Sequence, residues 1–304
     1  MNLLIIGGSG FLSGTLTRVA LEHGHRVWAV TRGQRPLVEG VTALVADRKD
    51  PAAFSHALQT AGANWDLAVD SIAFTAQDTR QDAAVLPGLA GQLVMISTDF
   101  VYDPRYRRYP QPETSQHFLA DGYGGLKRQA ELALQESAPA RLPWTVLRPC
   151  HIYGPGSQLG CLPEHGRDPQ LIRRLLAGEP LRLVSGGHFL QQPILARDLV
   201  ETILSCYANA RVFGQIFNTV GPEIVESADY YRLIADQLST TLTIEEVPVS
   251  AYRAAHPEHA SFLCHRIYDL TRLRESGAAV PATPLAEGLR AQVSQLAAQA
   301  GVPK

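Results

Sequence analysis

The chain has 304 residues, of which 45% are apolar and 18% charged, with a formal net charge of −2 at pH 7. That length supports a large buried core, that composition excludes wholesale disorder, and near-neutrality argues against a surface built to neutralise nucleic-acid phosphates. Cys150, Cys161, Cys206 and Cys264 form no C-x-x-C pair, and no stretch approaches the ~20 apolar residues of a membrane span. A soluble, cytoplasmic, globular protein without disulfides is expected.

In chain order, residues 3–6, 27–30, 41–45, 67–69, 93–97 and 144–148 read as short strands, several apolar at consecutive positions as burial on both faces requires. Residues 12–22, 51–61, 79–86 and 123–136 read as helices between them. This alternation predicts an α/β fold, a Rossmann-type doubly wound parallel sheet. After residue 153 the rhythm changes. A turn-rich stretch leads to helices at 169–177, 196–207, 230–238 and 284–298, with strands at 181–184 and 216–220. We therefore expect a dinucleotide-binding domain over 1–153 plus about 190–222. A smaller α/β substrate-binding cap over 154–189 and 223–304 would cover the carboxyl ends of the sheet.

The first strand runs into Gly7-Gly8-Ser9-Gly10-Phe11-Leu12-Ser13-Gly14 and then a helix. Glycines let the backbone turn sharply and approach a pyrophosphate, and the helix N-terminus offers free N–H groups to it. The second strand ends Val30-Thr31-Arg32-Gly33-Gln34-Arg35, with no acid between Val27 and Val38 to grip a ribose 2′-hydroxyl. Two arginines suit a 2′-phosphate instead, so NADP is favoured over NAD. Asp47-Arg48, after the third strand, falls beside the adenine, with Asp47 able to accept from its amino group.

Tyr123-Gly124-Gly125-Leu126-Lys127 puts a phenol and an ammonium four apart on one helix face, where the cation favours the phenolate. Upstream stands Ser97-Thr98-Asp99-Phe100-Val101-Tyr102, and downstream Leu147-Arg148-Pro149-Cys150-His151-Ile152-Tyr153-Gly154-Pro155. With Tyr268-Asp269-Leu270-Thr271-Arg272 and Pro284-Leu285-Ala286-Glu287-Gly288-Leu289, these motifs make nearly the whole chain resemble the extended short-chain dehydrogenase/reductase family. That family includes the nucleotide-sugar epimerases, dehydratases and reductases.

The resemblance implies a catalytic set of Thr98, Tyr123 and Lys127, with Tyr123 as the acid/base, Lys127 on the nicotinamide ribose and Thr98 on the reacting oxygen. It implies cofactor contacts at Gly7, Gly10, Phe11 and Leu12, at Thr31, Arg32 and Arg35, at Asp47 and Arg48, and at Ala73, Tyr123, Lys127, Pro149 and His151. Substrate contacts would come from Phe74, Asp99, Phe100, His151 and Gln191. The implied reaction is NAD(P)-dependent keto reduction, or epimerisation through a transient ketone, of a sugar or nucleotide-sugar. A homodimer through the helices around 79–86 and 123–136 is the family's habit. Departures also matter. Phe100 stands where dehydratases carry a proton-donating Glu, so dehydration is not expected. Gln191 stands where the family places a diphosphate-binding arginine; Arg266 and Arg272 are the candidates to replace its charge.

Other patterns are weaker. His23 and His25 flank a turn, and His256 and His259 have no carboxylate–histidine set at a recognised spacing, so no metal is expected. Cys150 has no adjacent base and reads as packing. Arg105-Tyr106-Arg107-Arg108-Tyr109 interleaves cations with aromatics, as RNA contacts do, but a loop beside the active site explains it as well. The alternative to an enzyme is a non-catalytic NAD(P)-binding sensor or RNA-associated protein of the same fold. The glycine turn and the Thr-Arg-Gly strand end also resemble chloroplast stem-loop RNA-binding proteins.

Overall fold

A computed structural model describes residues 1–301. Its first half alternates β1 (Asn2–Ile6), α1 (Phe11–Glu22), β2 (Arg26–Thr31), β3 (Thr42–Val45), α2 (Pro51–Gln59), β4 (Leu67–Asp70), α3 (Ala76–Val85), β5 (Leu93–Ile96), α4 (Gly122–Ser137) and β6 (Trp144–Pro149). There follow β7 (Ile152–Tyr153), α5 (Leu171–Leu176), β8 (Leu181–Val184), β9 (Leu190–Gln191), β10 (Ile194–Leu195), α6 (Ala196–Ser205) and β11 (Gln215–Thr219). The chain ends with β12 (Val225–Glu226), α7 (Ser227–Gln237), β13 (Ile244–Val247), α8 (Val249–Ala255), α9 (Thr271–Glu275) and α10 (Leu285–Gln299).

Seven strands form one sheet in the order β11-β6-β5-β4-β1-β2-β3, and every neighbouring pair is parallel. Parallel neighbours need crossovers, which lay helices over both faces. Leu3, Leu4, Ile5 and Ile6 are all fully buried because β1 has a core on each side. One core joins Leu3 and Ile5 to Leu16 and Val19 of α1 and Leu199 and Ile203 of α6. The other joins Leu4 and Ile6 to Phe54 and Leu58 of α2 and Ala130 and Leu134 of α4. The strand order reverses between β1 and β4, which opens a crevice at their carboxyl ends. This is the doubly wound Rossmann-type α/β architecture that the alternation predicts. A further core lies outside the sheet, where Leu171, Leu175, Tyr230, Tyr231 and Leu289 pack together.

The differences from the sequence expectations are local. Helix α3 begins at Ala76 and not Thr79, because Thr75 Oγ accepts from Asp78 N at 3.3 Å while Asp78 Oδ2 accepts from Thr75 N at 2.8 Å. Strand β13, Ile-Glu-Glu-Val, was not expected, since it lacks alternation; it pairs in parallel with β8. Among the described residues no helix is long and apolar enough to cross a membrane.

Candidate active site

A cleft of about 1240 Å³ opens over the carboxyl ends of the central strands. It exceeds the ~300–1,000 Å³ usual for one small ligand, leaving room for an extended molecule and a second one beside it.

At one end lies the glycine turn. Gly7 has φ +106°, and a Cβ there would stand 2.7 Å from Ile72 Cγ2; a Cβ on Gly8 would stand 2.5 Å from that of Ala29. Only glycine lets this backbone pass so close to β2 and β4. Gly10 precedes Phe11 and Leu12 at the start of α1, with no capping side chain and no acid in the first turn. The helix therefore presents its positive end to the cleft. Ser13, at the family's third glycine position, is buried and its Oγ accepts from Gly10 N at 3.0 Å. A cradle that a side chain would fill, closed by an uncapped helix, fits a pyrophosphate.

Beyond β2, Arg32 and Arg35 are exposed on the cleft rim, and Thr31 Oγ accepts from Gly33 N at 3.1 Å to shape that loop. Asp47 is exposed nearby. Arg48 also lines the cleft, but its charge is engaged by three acids. Its guanidinium pairs with Asp70, with Asp82 at 3.0 Å and with Asp78 at 3.3 Å. Burial acts to raise Asp70, but Arg48 holds it below the usual carboxylate range. Burial and the Asp70 charge push Asp82 well above it. Gln81, buried at the same wall, has an Nε2 with no hydrogen-bond partner.

At the other end stand Thr98, Tyr123 and Lys127, all lining the same cleft. Thr98 follows β5 and its Oγ accepts from Phe100 N at 3.3 Å. Gly124 and Gly125 let α4 come in close: a Cβ on Gly124 would stand 2.0 Å from the Phe100 carbonyl oxygen, and one on Gly125 2.5 Å from Ala120 C. Lys127 is 2% exposed and Nζ donates to the carbonyls of Ala73 at 2.7 Å and Ile96 at 2.6 Å. Burial lowers its pKa to about 8. Tyr123 keeps 51% of its surface exposed, with its ring 6.4 Å from that of Phe74 and 6.3 Å from that of Phe100. Partial desolvation raises its pKa, and the Thr98 hydroxyl pulls the other way. The phenol is thus held protonated, opposite in direction to the depression expected from Lys127, because that ammonium is buried against two carbonyls.

The substrate side is assembled from distant segments. Asp99 is 1% exposed and takes a two-pronged ion pair from Arg266, with Nε at 2.7 Å and Nη2 at 2.8 Å, and a hydrogen bond from Tyr268 OH. Arg107 donates to Tyr268 OH at 2.8 Å and to the Asp99 carbonyl at 3.3 Å. The Arg266 guanidinium lies 4.6 Å from the Phe100 ring centre and reaches the cleft. Arg272 instead turns to Gln215 and the Phe217 ring. His151 lines the cleft beside Pro149; burial, then Arg266 and Arg167, push its pKa down to about 3, so it stays neutral. Arg167 itself reaches the cleft from the loop 154–168, at φ 57°.

Two predicted contacts lie outside the lining. Ala73 is buried and takes part through its carbonyl on Lys127. Gln191 is 1% exposed in β9, away from the cleft, and neither amide atom has a partner. Of the basic run only Arg107 is drawn inward, while Arg105, Tyr106, Arg108 and Tyr109 stay exposed. Arg105 is held by Asp103, Arg107 by Tyr268, and the Tyr106 ring stacks on His117 at 4.3 Å. Cys150 is buried and its thiol pKa is raised by that burial, as packing demands. The acids around Arg48, the pairing of Arg107, and Arg167 carried no sequence signal, since each depends on contacts between remote segments.

Comparison with known proteins agrees with this fold. The chain is 30% identical over 301 residues to the 2-alkyl-3-oxoalkanoate reductase of Stenotrophomonas maltophilia (strain K279a), covering 90% of this chain and 85% of that protein. It is 25% identical over 243 residues to chloroplast stem-loop binding protein of 41 kDa b of Arabidopsis thaliana; the match spans 73% of this chain and 59% of that protein's length. The Bordetella bronchiseptica enzyme WbmG, solved with NAD and UDP, superposes with a TM-score of 0.79 at 18% identity, over 99% of this chain and 96% of that one. The family model described as "NAD dependent epimerase/dehydratase family" matches residues 3–219, from β1 to the end of β11. With its glycine cradle, its Tyr-x-x-x-Lys helix and its parallel sheet, the chain belongs to the NAD-dependent epimerase/dehydratase family.

Proposed function

We propose that the protein is an NAD(P)-dependent oxidoreductase that reduces, or epimerises through a transient ketone, a sugar or nucleotide-sugar. The observation that carries this reading is the convergence of Thr98, Tyr123 and Lys127 with the glycine turn on one cleft. When bound, the nicotinamide supplies or accepts the hydride. Gly7, Gly10 and the start of α1 hold the pyrophosphate, and Asp47 accepts from the adenine amino group. Arg32 and Arg35 hold a 2′-phosphate, which favours NADP. Tyr123, kept protonated by its raised pKa, gives its proton to the oxygen that gains charge as the carbonyl carbon receives hydride. Thr98 orients that oxygen by a hydrogen bond. Lys127, its Nζ anchored by the Ala73 and Ile96 carbonyls, would hold the nicotinamide ribose, and solvent at the exposed side of Tyr123 returns the proton. Leu126 and Leu132, exposed on α4, fit the family's homodimer face.

A second substrate reading, a keto acid, rests on Arg167, which brings a cation into the cleft where Phe74 and Phe100 offer apolar rings. Its carboxylate would meet Arg167 and its alkyl chain Phe74 and Phe100. The name of the 30% identical relative supports this reading. The stem-loop binding relative supports an RNA-associated role, for which the exposed Arg105, Tyr106, Arg108 and Tyr109 are the candidate surface; Arg107 is engaged with Tyr268.

The test is to offer the purified protein NADPH or NADH with a panel of UDP-sugars, keto-sugar nucleotides and 2-alkyl-3-oxoalkanoates, and to follow nicotinamide absorbance. Turnover with an exchanging cofactor indicates reduction, and interconversion of two sugars with firmly held cofactor indicates epimerisation. Structured RNA shifted at physiological salt, with no turnover across the panel, would replace the enzyme reading.

A further inference from the structure

We infer that His256, Glu258 and His259 form a site for a borderline-soft divalent cation, best matched by Zn²⁺, on the wall of the cap. The three residues sit on the turn after α8, and their ligand atoms all lie within 4.8 Å of one another. Glu258 Oε1 is 3.5 Å from His256 Nδ1 and 3.7 Å from His259 Nε2. One ion bonded at about 2.1 Å to each donor fits the two Glu258 separations; the His256 and His259 rings, stacked 5.3 Å apart at 15°, must turn towards each other for both to bind it. Two imidazoles and a carboxylate with solvent on the open side make a three-ligand set that leaves a fourth position for water.

A second observation concerns the tautomer of His259. Tyr252 OH donates its one proton to the Pro163 carbonyl at 3.0 Å, and it also lies 2.9 Å from His259 Nδ1. With that proton spent, the hydroxyl can only accept, so Nδ1 carries the hydrogen and Nε2 keeps its lone pair. Nε2 is the atom that faces Glu258. A ligating histidine whose other nitrogen donates to a fixed acceptor is the arrangement that orients metal-binding imidazoles. Tyr252 is 4% exposed, and its ring is 4.7 Å from that of His256, so both histidines are braced by the same residue. The sequence spacing alone pointed away from a metal; the turn after α8 brings the carboxylate between the two rings.

The site adjoins the reaction cleft without being part of it. The His259 ring is 5.1 Å from that of Phe262, which is 5.4 Å from Phe100. A bound ion therefore ties the segment 256–262 down on the cleft wall, and through Tyr252 and Pro163 it also ties down the loop that carries Arg167.

The experiment is calorimetric titration of ZnCl₂ into tag-free protein, with Co²⁺ absorption as a check on ligand type. We expect one ion per chain, a tetrahedral Co²⁺ spectrum and a higher melting temperature with zinc. Glu258→Gln and His259→Ala should each abolish saturable binding, and circular dichroism of each should match the parent. Tyr252→Phe, which removes one oxygen, should weaken zinc about 10-fold or more if it orients His259. Absence of saturable binding in the parent, or binding unchanged in His259→Ala, would overturn the proposal. Full affinity in Tyr252→Phe would refute the orienting role on which the site is argued.

Discussion

The two sides of the cleft are built differently. The proposed cofactor side is built on a strand end, a glycine turn and a helix start contiguous in sequence; its rim charges, Arg32, Arg35 and Asp47, stand in solvent, in front of Arg48, which is buried against Asp70, Asp78 and Asp82. The substrate side is made of segments up to 169 residues apart, and its charges are buried and paired: Asp99 with Arg266, with Tyr268 and Arg107 beside them. Exposed charges on a preformed backbone cradle are set to choose a ligand. Buried pairs hold a wall in place, because each partner is destabilising alone. Substitutions of the exposed charges and of the buried pairs should therefore fail differently, by lost recognition for the first and by lost folding for the second.

Four outcomes sharpen that contrast, from largest to smallest. Tyr123→Phe, at the junction, should lower kcat by about 10²–10⁴-fold while leaving dinucleotide affinity unchanged, as read by steady-state kinetics and fluorescence titration. On the substrate side, Asp99→Ala leaves Arg266 without its counter-ion and should destabilise the protein by about 3–5 kcal/mol in urea unfolding. Replacing Asp99 and Arg266 together by apolar residues should recover much of that loss. On the cofactor side, Arg32→Ala or Arg35→Ala should weaken NADPH about 10- to 150-fold with NADH affinity and melting temperature unchanged, since each loses a charge-assisted bond of about 1.5–3 kcal/mol. An equal loss for both cofactors would remove the assignment of a 2′-phosphate site.

The smallest effect is on pH. Lys127 titrates at about 8, so its charge is present at neutral pH and is lost as pH rises through that value; turnover should fall severalfold on the alkaline side. Between about 8 and 10.5 the unfolded chain holds this proton more tightly than the folded one, so the lysine's contribution to stability rises with pH there. His151, neutral down to about pH 3, should give no activity limb near 6.5. A limb there that vanishes in His151→Gln would contradict its assigned neutrality.

Legibility in the sequence followed the same division. The parallel sheet could be read because Leu3–Ile6, Leu67–Val69 and Leu93–Ile96 are apolar at consecutive buried positions. The glycine turn and the Tyr123–Lys127 spacing are local, so their patterns survive in one dimension. Arg48 was placed at the cofactor end, yet its engagement by Asp70, Asp78 and Asp82 is a tertiary fact with no spacing to reveal it. The direction of the Tyr123 shift likewise depended on where the Lys127 ammonium points, towards Ala73 and Ile96. Gln191 stands at the family's diphosphate-binding position, but β9 buries it outside the cleft lining.

Transfer of deuterium from NADPH labelled at the nicotinamide C4, followed by mass spectrometry of the product across the keto-sugar and 3-oxoalkanoate panel, tests the central claim most directly. The account predicts label on the former carbonyl carbon with the parent protein and almost none with Tyr123→Phe. Reduced product formed without label, or labelled at the parent rate by Tyr123→Phe, would contradict it.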